Sequence, residues 1–333
     1  MKNLLSVPSP PATANKEESR DHEVPEHGRN VACEIPRING TRRSASLPFK
    51  IAPWIGLLIL PALALSTQHR VPPWAFMWLM AYAIFLGCKW LTFWRTKDQQ
   101  IHLARLTGYF FLWAGMDAVA FLGPAAPAKP SRPGRQIAFS LIKITAGALA
   151  FFVLARRAPN HLLAGWIGMV GLIFILHFGL FELVAIAWRW GGVEAKPIMN
   201  APIKATSLSE FWGRRWNGAF NQLVLDIFFR PLARSVGPVR ATLTAFLISG
   251  LLHELVISLP AGAGYGLPTA YFLLQGWGVV VQRSFIGKRF RLREGARGWL
   301  FTMLLTAGPA FCLFHPPFVE RVIVPFMQTL GAL

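Results

Sequence analysis

Residues 200–217 read N-A-P-I-K-A-T-S-L-S-E-F-W-G-R-R-W-N, and residues 247–256 read L-I-S-G-L-L-H-E-L-V. The first stretch concentrates charged and amide side chains in a chain that is otherwise apolar, and the second places a histidine inside an apolar helix. Ionisable side chains are costly inside a membrane and usually have a function there. The two stretches therefore predict a polar site among membrane helices, formed by Lys204, Glu210, Arg214, Arg215, Asn217 and His253.

The composition points to a membrane protein, with 53% hydrophobic and 15% charged residues, whereas globular domains carry about 25% charged residues. Apolar runs recur from residue 51 to the C terminus with short connections. We therefore expect an all-α, polytopic transmembrane helix bundle of about eight spans, one domain covering residues 51–333, with re-entrant or interfacial helices. The candidate spans are 51–67, 73–94, 104–123, 136–155, 162–188, 241–259, 267–282 and 298–316, and residues 318–333 are expected at the interface.

Residues 1–50 differ from the rest, since they combine several prolines with eight basic and six acidic residues and few aromatic ones. Such a segment is too polar to bury a core, and it contains no apolar stretch typical of a secretory signal. We expect a disordered cytoplasmic tail. The surplus of positive charge, +19 for the whole chain, is typical of cytoplasmic loops of membrane proteins and also of a site for phosphates. Nucleic acid is not expected as a partner, because the basic clusters are separated by long apolar spans.

The loops differ in charge in a way that predicts their side of the membrane. Residues 283–297 contain six basic residues and one acidic residue, whereas residues 260–266 contain no charge. Because basic loops stay in the cytoplasm, we expect loops 283–297 and 189–240 on the cytoplasmic side. Span 104–123 contains Gly115, Asp117 and Gly123, and these residues predict a bent or re-entrant segment.

The polar stretch has the features of a helix start. Ser207 and Glu210 have the spacing of a capping box, in which a serine and a glutamate satisfy the first free N–H groups of a helix. On this helix Glu210 and Arg214 are four residues apart and are expected to pair, Trp212 and Trp216 are expected to stack on one stripe, and Pro231 is expected to end the helix. An amphipathic interfacial helix anchored by aromatics and arginines is an equally compatible interpretation.

The helix around His253 carries Ser249 and Gly250 one turn earlier, so the imidazole is expected to face small residues that admit a neighbouring helix or a substrate. A histidine of this kind is a catalytic candidate, or it is simply hydrogen-bonded across a bundle. Residue 257 is isoleucine, which excludes the H-E-x-x-H zinc motif. The cysteines at positions 33, 88 and 312 lack the spacing of a disulfide framework or a zinc site, and no metal is expected.

The quoted stretches, separated by a basic segment that contains proline, resemble the wax synthase branch of the membrane-bound O-acyltransferases. His315-Pro316-Pro317 is similar to a late aromatic and proline segment of that family. The resemblance is strong over about residues 200–320, weaker over 75–125, and absent from residues 1–50. It implies transfer of a fatty acyl group from acyl-coenzyme A to a hydroxyl, with His253 matching the essential histidine of the family and Asn217 its polar partner.

The resemblance also implies roles for the surrounding residues. A thioester is already activated, so His253 would act as general base, Asn217 would bind the thioester carbonyl or position the substrate, and no acyl-enzyme would form. The arginines beside Asn217 are candidates to bind coenzyme A phosphates, because a guanidinium matches phosphate geometry. Arg214 and Arg215 are the first candidates, Lys204 and Arg289 are secondary ones, and the acyl tunnel would be lined by Phe211, Trp212, Trp216 and Ser249, for which simple packing is the alternative.

The expected partners are acyl-coenzyme A as co-substrate, a lipophilic, long-chain alcohol from the bilayer and membrane lipids, with no permanently bound cofactor. The same chemistry on a sterol, a diacylglycerol or a glycan hydroxyl is an alternative. A transporter or a non-catalytic lipid-binding protein is a further one, although F-W-G-R-R-W-N has no second copy of the kind that internal repeats would produce.

Overall fold

The computed structural model describes residues 52–96, 101–124 and 133–333, and in these residues it is helical without any strand. The expected N-terminal tail of residues 1–50 lies outside the described residues. The first half of the described chain forms α1 (Ala52–Leu65), α2 (Pro73–Phe93), α3 (Leu103–Phe111), α4 (Ala118–Leu122), α5 (Pro133–Arg157) and α6 (His161–Trp190).

The second half begins with a 3₁₀ turn, Pro202–Lys204, and with α7 (Leu208–Glu210), which continues into a π-helical turn, Phe211–Arg215. It then forms α8 (Gly218–Val224), which continues through Leu225–Phe229 and Arg230–Val236, and α9 (Pro238–Ala261), α10 (Leu267–Arg283), α11 (Phe285–Arg289), α12 (Gly295–Leu313) and α13 (Pro316–Thr329).

The helix capped by Ser207 ends at Arg215, and a second helical run from Gly218 to Val236 passes Pro231, so the prediction that Pro231 ends the helix is wrong. A proline breaks an α-helix because it lacks an N–H for the carbonyl four residues earlier. Here the π-helical turn Leu225–Phe229 directly precedes the proline and already interrupts that ladder. Asp226 in this turn fixes the run to the end of α2 by an ion pair with Arg95, 2.9 Å long.

Four helices are long and apolar enough to cross a membrane, namely α2, α5, α6 and α9, and the pair α12 and α13, bent by 60°, raises the number to five if it is one span. The expected eight or so spans are therefore not confirmed, because crossing requires about 20 residues of helix. Helix α1 has only 14 residues and α10 has 17. Residues 104–123 are divided between α3 and α4, in agreement with the expected bend.

The spans expose apolar side chains on their outer faces. In α5, for example, Phe139 is 51% exposed and Ile142 is 61% exposed. Exposing apolar faces of several helices to water is unfavourable, whereas the hydrocarbon of a bilayer solvates them without that cost. The long apolar helices and these faces indicate an integral membrane protein.

Close contacts between helices occur at small residues. A β-carbon on Gly171 of α6 would lie 2.7 Å from the carbonyl oxygen of Gly147 in α5, and one on Gly250 of α9 would lie 2.7 Å from Cα of Thr269 in α10. Larger residues at these positions would push the helices apart. The second contact fixes α10 beside the segment of α9 that carries His253.

Lys89 anchors the broken segment between α3 and α4. It lies on α2 and is completely buried. Its Nζ donates to the carbonyl oxygens of Tyr109 and Gly115, the latter at 2.7 Å, and lies 3.9 Å from the centre of the Tyr109 ring. A buried side-chain amine thus satisfies carbonyls that the interrupted helix leaves free.

Candidate active site

The polar stretch begins with the expected helix cap. The Ser207 hydroxyl accepts a hydrogen bond from the Glu210 N–H at 3.1 Å, and the Glu210 carboxylate accepts one from the Thr206 N–H at 2.9 Å. The serine half of the capping box is confirmed, whereas the glutamate reaches the N–H of Thr206 instead of that of Ser207. The cap fixes where α7 starts and therefore where the following residues point.

Glu210 forms its ion pair with Arg215, with N to O distances of 2.7 and 2.8 Å. The expected pair with Arg214 is therefore wrong. The reason is the π-helical turn Phe211–Arg215, in which the Trp216 N–H bonds the Phe211 carbonyl at 2.8 Å, because such a turn aligns residues five apart. Burial by itself raises the pKa of Glu210, but the N–H of Thr206 and the guanidinium of Arg215 hold the pKa below its ordinary value.

Asn217 has a left-handed backbone with φ of 45°, which is uncommon for a residue other than glycine but most accessible to asparagine. Two backbone hydrogen bonds of 2.8 Å, from Asn200 to Arg215 and from Gly218 to Ile198, pair this turn with the preceding segment. Within the described residues, the carboxamide of Asn217 makes no hydrogen bond, and it is half-buried. A backbone in this conformation with a free amide is typical of functional turns.

His253 lies on α9 and is also half-buried. Its Nδ1 lies 2.7 Å from the Ser249 carbonyl oxygen, and its ring lies 4.3 Å from that of Phe272 on α10. Because a carbonyl oxygen only accepts, Nδ1 donates, and Nε2 of the neutral ring is left with a lone pair. Within the part of the chain that the structure describes, Nε2 makes no hydrogen bond. It is the carbonyl of Ser249, not the hydroxyl, that contacts the imidazole.

Glu254 follows His253 and joins α9 to the start of α10. One carboxylate oxygen accepts from the Gly266 N–H and the Thr269 N–H, both at 3.0 Å, and from the Thr269 hydroxyl at 2.8 Å. A carboxylate at a helix N terminus satisfies free N–H groups and complements the helix dipole. Glu254 therefore fixes α10, and with it Phe272, against His253.

The tryptophans do not stack on each other within the described residues, so the expected stripe is wrong. Trp212 packs on Phe272, 5.6 Å between ring centres, and its indole N–H donates to the buried Gln275 at 3.3 Å. Trp216 stacks on Phe211 at 5.6 Å. The π-helical turn separates the two indoles, because it places residues four apart at different angles than an α-helix does.

Asn217 and His253 form no hydrogen bond with each other, but residues next to each of them in sequence belong to one apolar cluster, whereas Phe272, which contacts the His253 ring, belongs to another. The first cluster contains three residues that border the turn of Asn217, namely Met199, Ala219 and Trp216. It also contains Leu252 and Leu255, which flank His253 in sequence. The Asn217 N–H lies 3.4 Å from the sulfur of Met199. The two polar groups therefore lie on elements that share one wall.

A basic cavity of about 700 Å³ opens beside α7. It is lined by Thr206, Ser207, Glu210, Arg214, Gly287, Lys288, Arg291, Arg293 and Glu294. Glu210 is paired with Arg215, and Arg291 pairs with Glu294 at 3.3 Å. In the described ranges Arg214, Lys288 and Arg293 form no ion pair, so three cations remain for a polyanion.

Of the four basic residues selected from the sequence, only Arg214 lines the cavity. Arg215 is held by Glu210 and by the Asn200 carbonyl at 3.1 Å, whereas Lys204 and Arg289 are exposed at the ends of their short helices. Lys288 and Arg293 were not selected, although the clustering of charge in loop 283–297 was a visible signal for them. Among the described residues no group of three or more histidine, cysteine or acidic side chains could hold a metal ion.

Comparison with known proteins adds to this geometry. Residues 195–274 match the model of the membrane bound O-acyl transferase family. The segment covers the cap, the π-helical turn, Asn217, His253 and the first part of α10.

Three plant enzymes are similar to longer parts of the chain. A probable long-chain-alcohol O-fatty-acyltransferase of Arabidopsis thaliana is 34% identical over 145 residues, 39% of this chain and 41% of the relative. A long-chain-alcohol O-fatty-acyltransferase of Simmondsia chinensis is 30% identical over 197 residues, 53% of each chain. An acyl-CoA–sterol O-acyltransferase of Arabidopsis thaliana is 28% identical over 166 residues, 46% of this chain and 48% of the relative.

The chain thus spans about half the length of the curated relatives it matches. Within that half lie the elements from α7 to the start of α10 on which the candidate site is built. The resemblance of this chain to the wax synthase-like branch of the membrane-bound O-acyltransferases is therefore confirmed.

Proposed function

We propose that this protein is an acyl-CoA:alcohol O-acyltransferase that moves a fatty acyl group to the hydroxyl of a lipophilic, long-chain alcohol and releases a wax ester and coenzyme A. The single observation that carries the proposal is the imidazole of His253, whose Nδ1 lies at the Ser249 carbonyl oxygen and whose Nε2 makes no hydrogen bond to the described residues. The names of the relatives support the two substrate classes, since two are named for long-chain alcohols and a third for acyl-CoA as the donor.

The reaction needs one base and one donor. Nε2 of His253 takes the proton of the alcohol, the alcohol oxygen attacks the thioester carbonyl carbon, and a tetrahedral oxyanion forms. The carbon–sulfur bond then breaks, the ester is released, and the imidazolium returns its proton to the thiolate of coenzyme A. No bond to the protein forms in this sequence, so no acyl-enzyme is involved.

Asn217 is the proposed partner of the oxyanion. Its amide N–H₂ has no hydrogen bond to other described residues, and the left-handed turn fixes the backbone that carries it. A hydrogen-bond donor to the oxyanion typically contributes about 10²–10³ in rate.

The basic cavity is the proposed binding site for the phosphates of acyl-coenzyme A. Arg214, Lys288 and Arg293 are its cations without an ion pair among the described residues, and Arg214 is only three residues from Asn217. Arg215 has a different proposed role, because its pair with Glu210 holds the turn. Exposed Lys204 and Arg289 are left for weaker, screened attraction of the polyanion.

The acyl chain and the alcohol are proposed to occupy the apolar side of the site. Phe211, Trp212 and Trp216 form aromatic surfaces there, and Ser249 lies one turn from His253. The alcohol would arrive from the bilayer, where lipophilic molecules partition, and the ester would leave by the same side.

The test incubates purified protein in nanodiscs with radiolabelled palmitoyl-CoA and 1-hexadecanol, and it separates the ester by chromatography. Wild type should form hexadecyl palmitate, and His253→Ala should not. Ester formation at the wild-type rate by His253→Ala would overturn the base assignment, and no ester from wild type with any alcohol would overturn the activity.

A sterol is the second candidate acceptor, because one relative, 28% identical, is named for acyl transfer to sterols. The same assay decides between the acceptors when it is run in parallel with hexadecanol, cholesterol, a plant sterol, a diacylglycerol and a glycan. A transporter or a non-catalytic lipid-binding protein would bind the lipid and form no product with any of them.

A further inference from the structure

His177 is a second histidine inside a membrane span, and neither the sequence patterns nor the family match draws attention to it. It lies in the π-helical turn Phe174–Leu180 of α6. Its Nδ1 is shielded from solvent and has no hydrogen-bond partner among the described residues. Buried polar atoms are nearly always hydrogen-bonded, so an exception requires an explanation, and π-helical turns frequently occur at functional sites.

The orientation of α6 shows where His177 points. Gly171 and Gly179 face α5, the former against Gly147 and the latter against Ile144. His177 is on the other side of the helix, where its ring meets that of Phe181 edge-on at 5.4 Å.

Phe181 and its neighbour Phe178 pack in the apolar cluster that also contains Met199 and Trp216. The rings of Phe178 and Trp216 lie 6.5 Å apart. His177 therefore faces the wall that borders the turn of Asn217.

The bilayer borders the face of α6 on which His177 lies. Val170, two helical turns before His177, is 48% exposed, and Leu180, about one turn after it, is 44% exposed. His177 therefore lies where the lipid-facing side of α6 meets the apolar cluster. The basic cavity, in contrast, is built from α7, α11 and the loop after α11.

We propose that His177 binds the hydroxyl of the lipophilic acceptor, an inference that rests on the proposed function. The hydroxyl of an alcohol that moves from the bilayer into the protein interior requires a hydrogen-bond partner there. Nδ1 of His177, which has no partner among the described residues, can supply one. With the proton on Nδ1, the imidazole donates to a lone pair of the alcohol oxygen. This contact does not use the O–H of the alcohol, so the role proposed for His177 differs from that of the base His253.

The kinetic experiment compares wild type with His177→Met, which is apolar and of similar size, and with His177→Gln, which keeps an N–H donor. His161→Met is the matched control, because His161 is exposed at the start of the same helix. His177→Met should raise the KM for 1-hexadecanol about tenfold, the ratio that one buried hydrogen bond contributes. The KM for palmitoyl-CoA should not change, and His177→Gln should recover most of the loss.

A binding measurement separates this inference from the proposed function. Tritiated 1-hexadecanol is equilibrated with each variant in nanodiscs without acyl-CoA, and bound label is counted by scintillation proximity. Weaker binding of hexadecanol to His177→Met than to wild type and to His161→Met supports the inference, even if no ester forms. Absence of ester would contradict only the proposed activity. Equal binding and equal hexadecanol KM in folded His177→Met overturn the inference. Should that variant fail to elute as a single species, His177→Leu and His177→Phe replace it in both measurements.

Discussion

The Nδ1 atom of His253 lies 2.7 Å from the carbonyl oxygen of Ser249, one helical turn earlier. This contact selects the tautomer of the neutral ring and leaves the lone pair on Nε2. A backbone carbonyl cannot be removed by changing the side chain of residue 249. The orientation of the proposed base is therefore built into α9 itself.

His253→Ala should lower ester formation by about 10²–10⁴, the usual contribution of a general base. Ser249→Ala should keep the activity, because the carbonyl that holds His253 is unchanged. Both are measured as hexadecyl palmitate formed per minute, with exposed His161→Ala as the control. Loss of activity in Ser249→Ala with normal folding would point to the hydroxyl as a nucleophile and refute the scheme without an acyl-enzyme.

Asn217→Gly and Asn217→Ala should distinguish the contribution of the carboxamide from that of the backbone conformation. Both remove the oxyanion donor and should lower kcat by about 10²–10³. Only alanine should be strained at φ of 45°, by about 1–2 kcal/mol, and should lower the melting temperature. Wild-type kcat in Asn217→Gly would show that the amide group does not take part in the reaction.

Arg214→Gln and Lys288→Gln should raise the KM for palmitoyl-CoA more than the KM for hexadecanol, because they weaken phosphate binding and leave the alcohol path intact. Arg297→Gln is the matched control, since Arg297 belongs to the same basic stretch, is exposed and does not line the cavity. Palmitoyl-dephospho-CoA, which lacks one phosphate, tests which phosphate is bound. A variant that has lost the contact to that phosphate should show a smaller difference in KM between palmitoyl-CoA and palmitoyl-dephospho-CoA than wild type does. A selective rise in the hexadecanol KM would contradict the phosphate assignment.

Glu210 should make the fold sensitive to acid. Its pKa is held below the ordinary value, after the opposing effect of burial, by Thr206 and Arg215. A carboxylate with a lowered pKa contributes stability above its unfolded pKa of about 4.3 and loses the contribution as the pH falls through the folded pKa. Thermal unfolding between pH 7 and pH 3 should therefore show a smaller acid loss in Glu210→Gln than in wild type. Parallel curves would contradict the role of this ion pair.

Thr269→Val should weaken the attachment of α10 to Glu254, because it removes the hydroxyl donor at 2.8 Å and keeps the shape of the side chain. A hydrogen bond to a charged group contributes about 1.5–3 kcal/mol. We expect lower thermal stability and a lower kcat, since Phe272 on α10 packs against His253. Thr329→Val is the control, as its hydroxyl bonds only its own helix. Unchanged stability and kcat would show that this cap is dispensable.

Much of the site was predictable because the signals are local. Ser207 caps α7 as its spacing to Glu210 predicts, and the interruption near Gly115 and Asp117 follows the expected bend. The predicted pair of Glu210 with Arg214 failed because sequence spacing was interpreted with α-helical geometry, and the chain forms a π-helical turn there. The expected eight or so spans are not confirmed for a related reason, since hydropathy does not reveal where a helix stops.

The sequence by itself indicated that the chain is an apolar helical protein, that residues 200–217 and 247–256 carry a polar pattern that resembles an acyltransferase family, and that Asn217 and His253 are the best candidates. These properties depend on composition and on short spacings, which are fixed along the chain. Only the tertiary structure decided that Arg215 pairs with Glu210, that Lys288 and Arg293 join Arg214 around one cavity, and that Nδ1 of His177 has no hydrogen-bond partner among the described residues. The reason is that a side chain's partners and solvent access are set by helices distant in sequence, which local patterns do not encode.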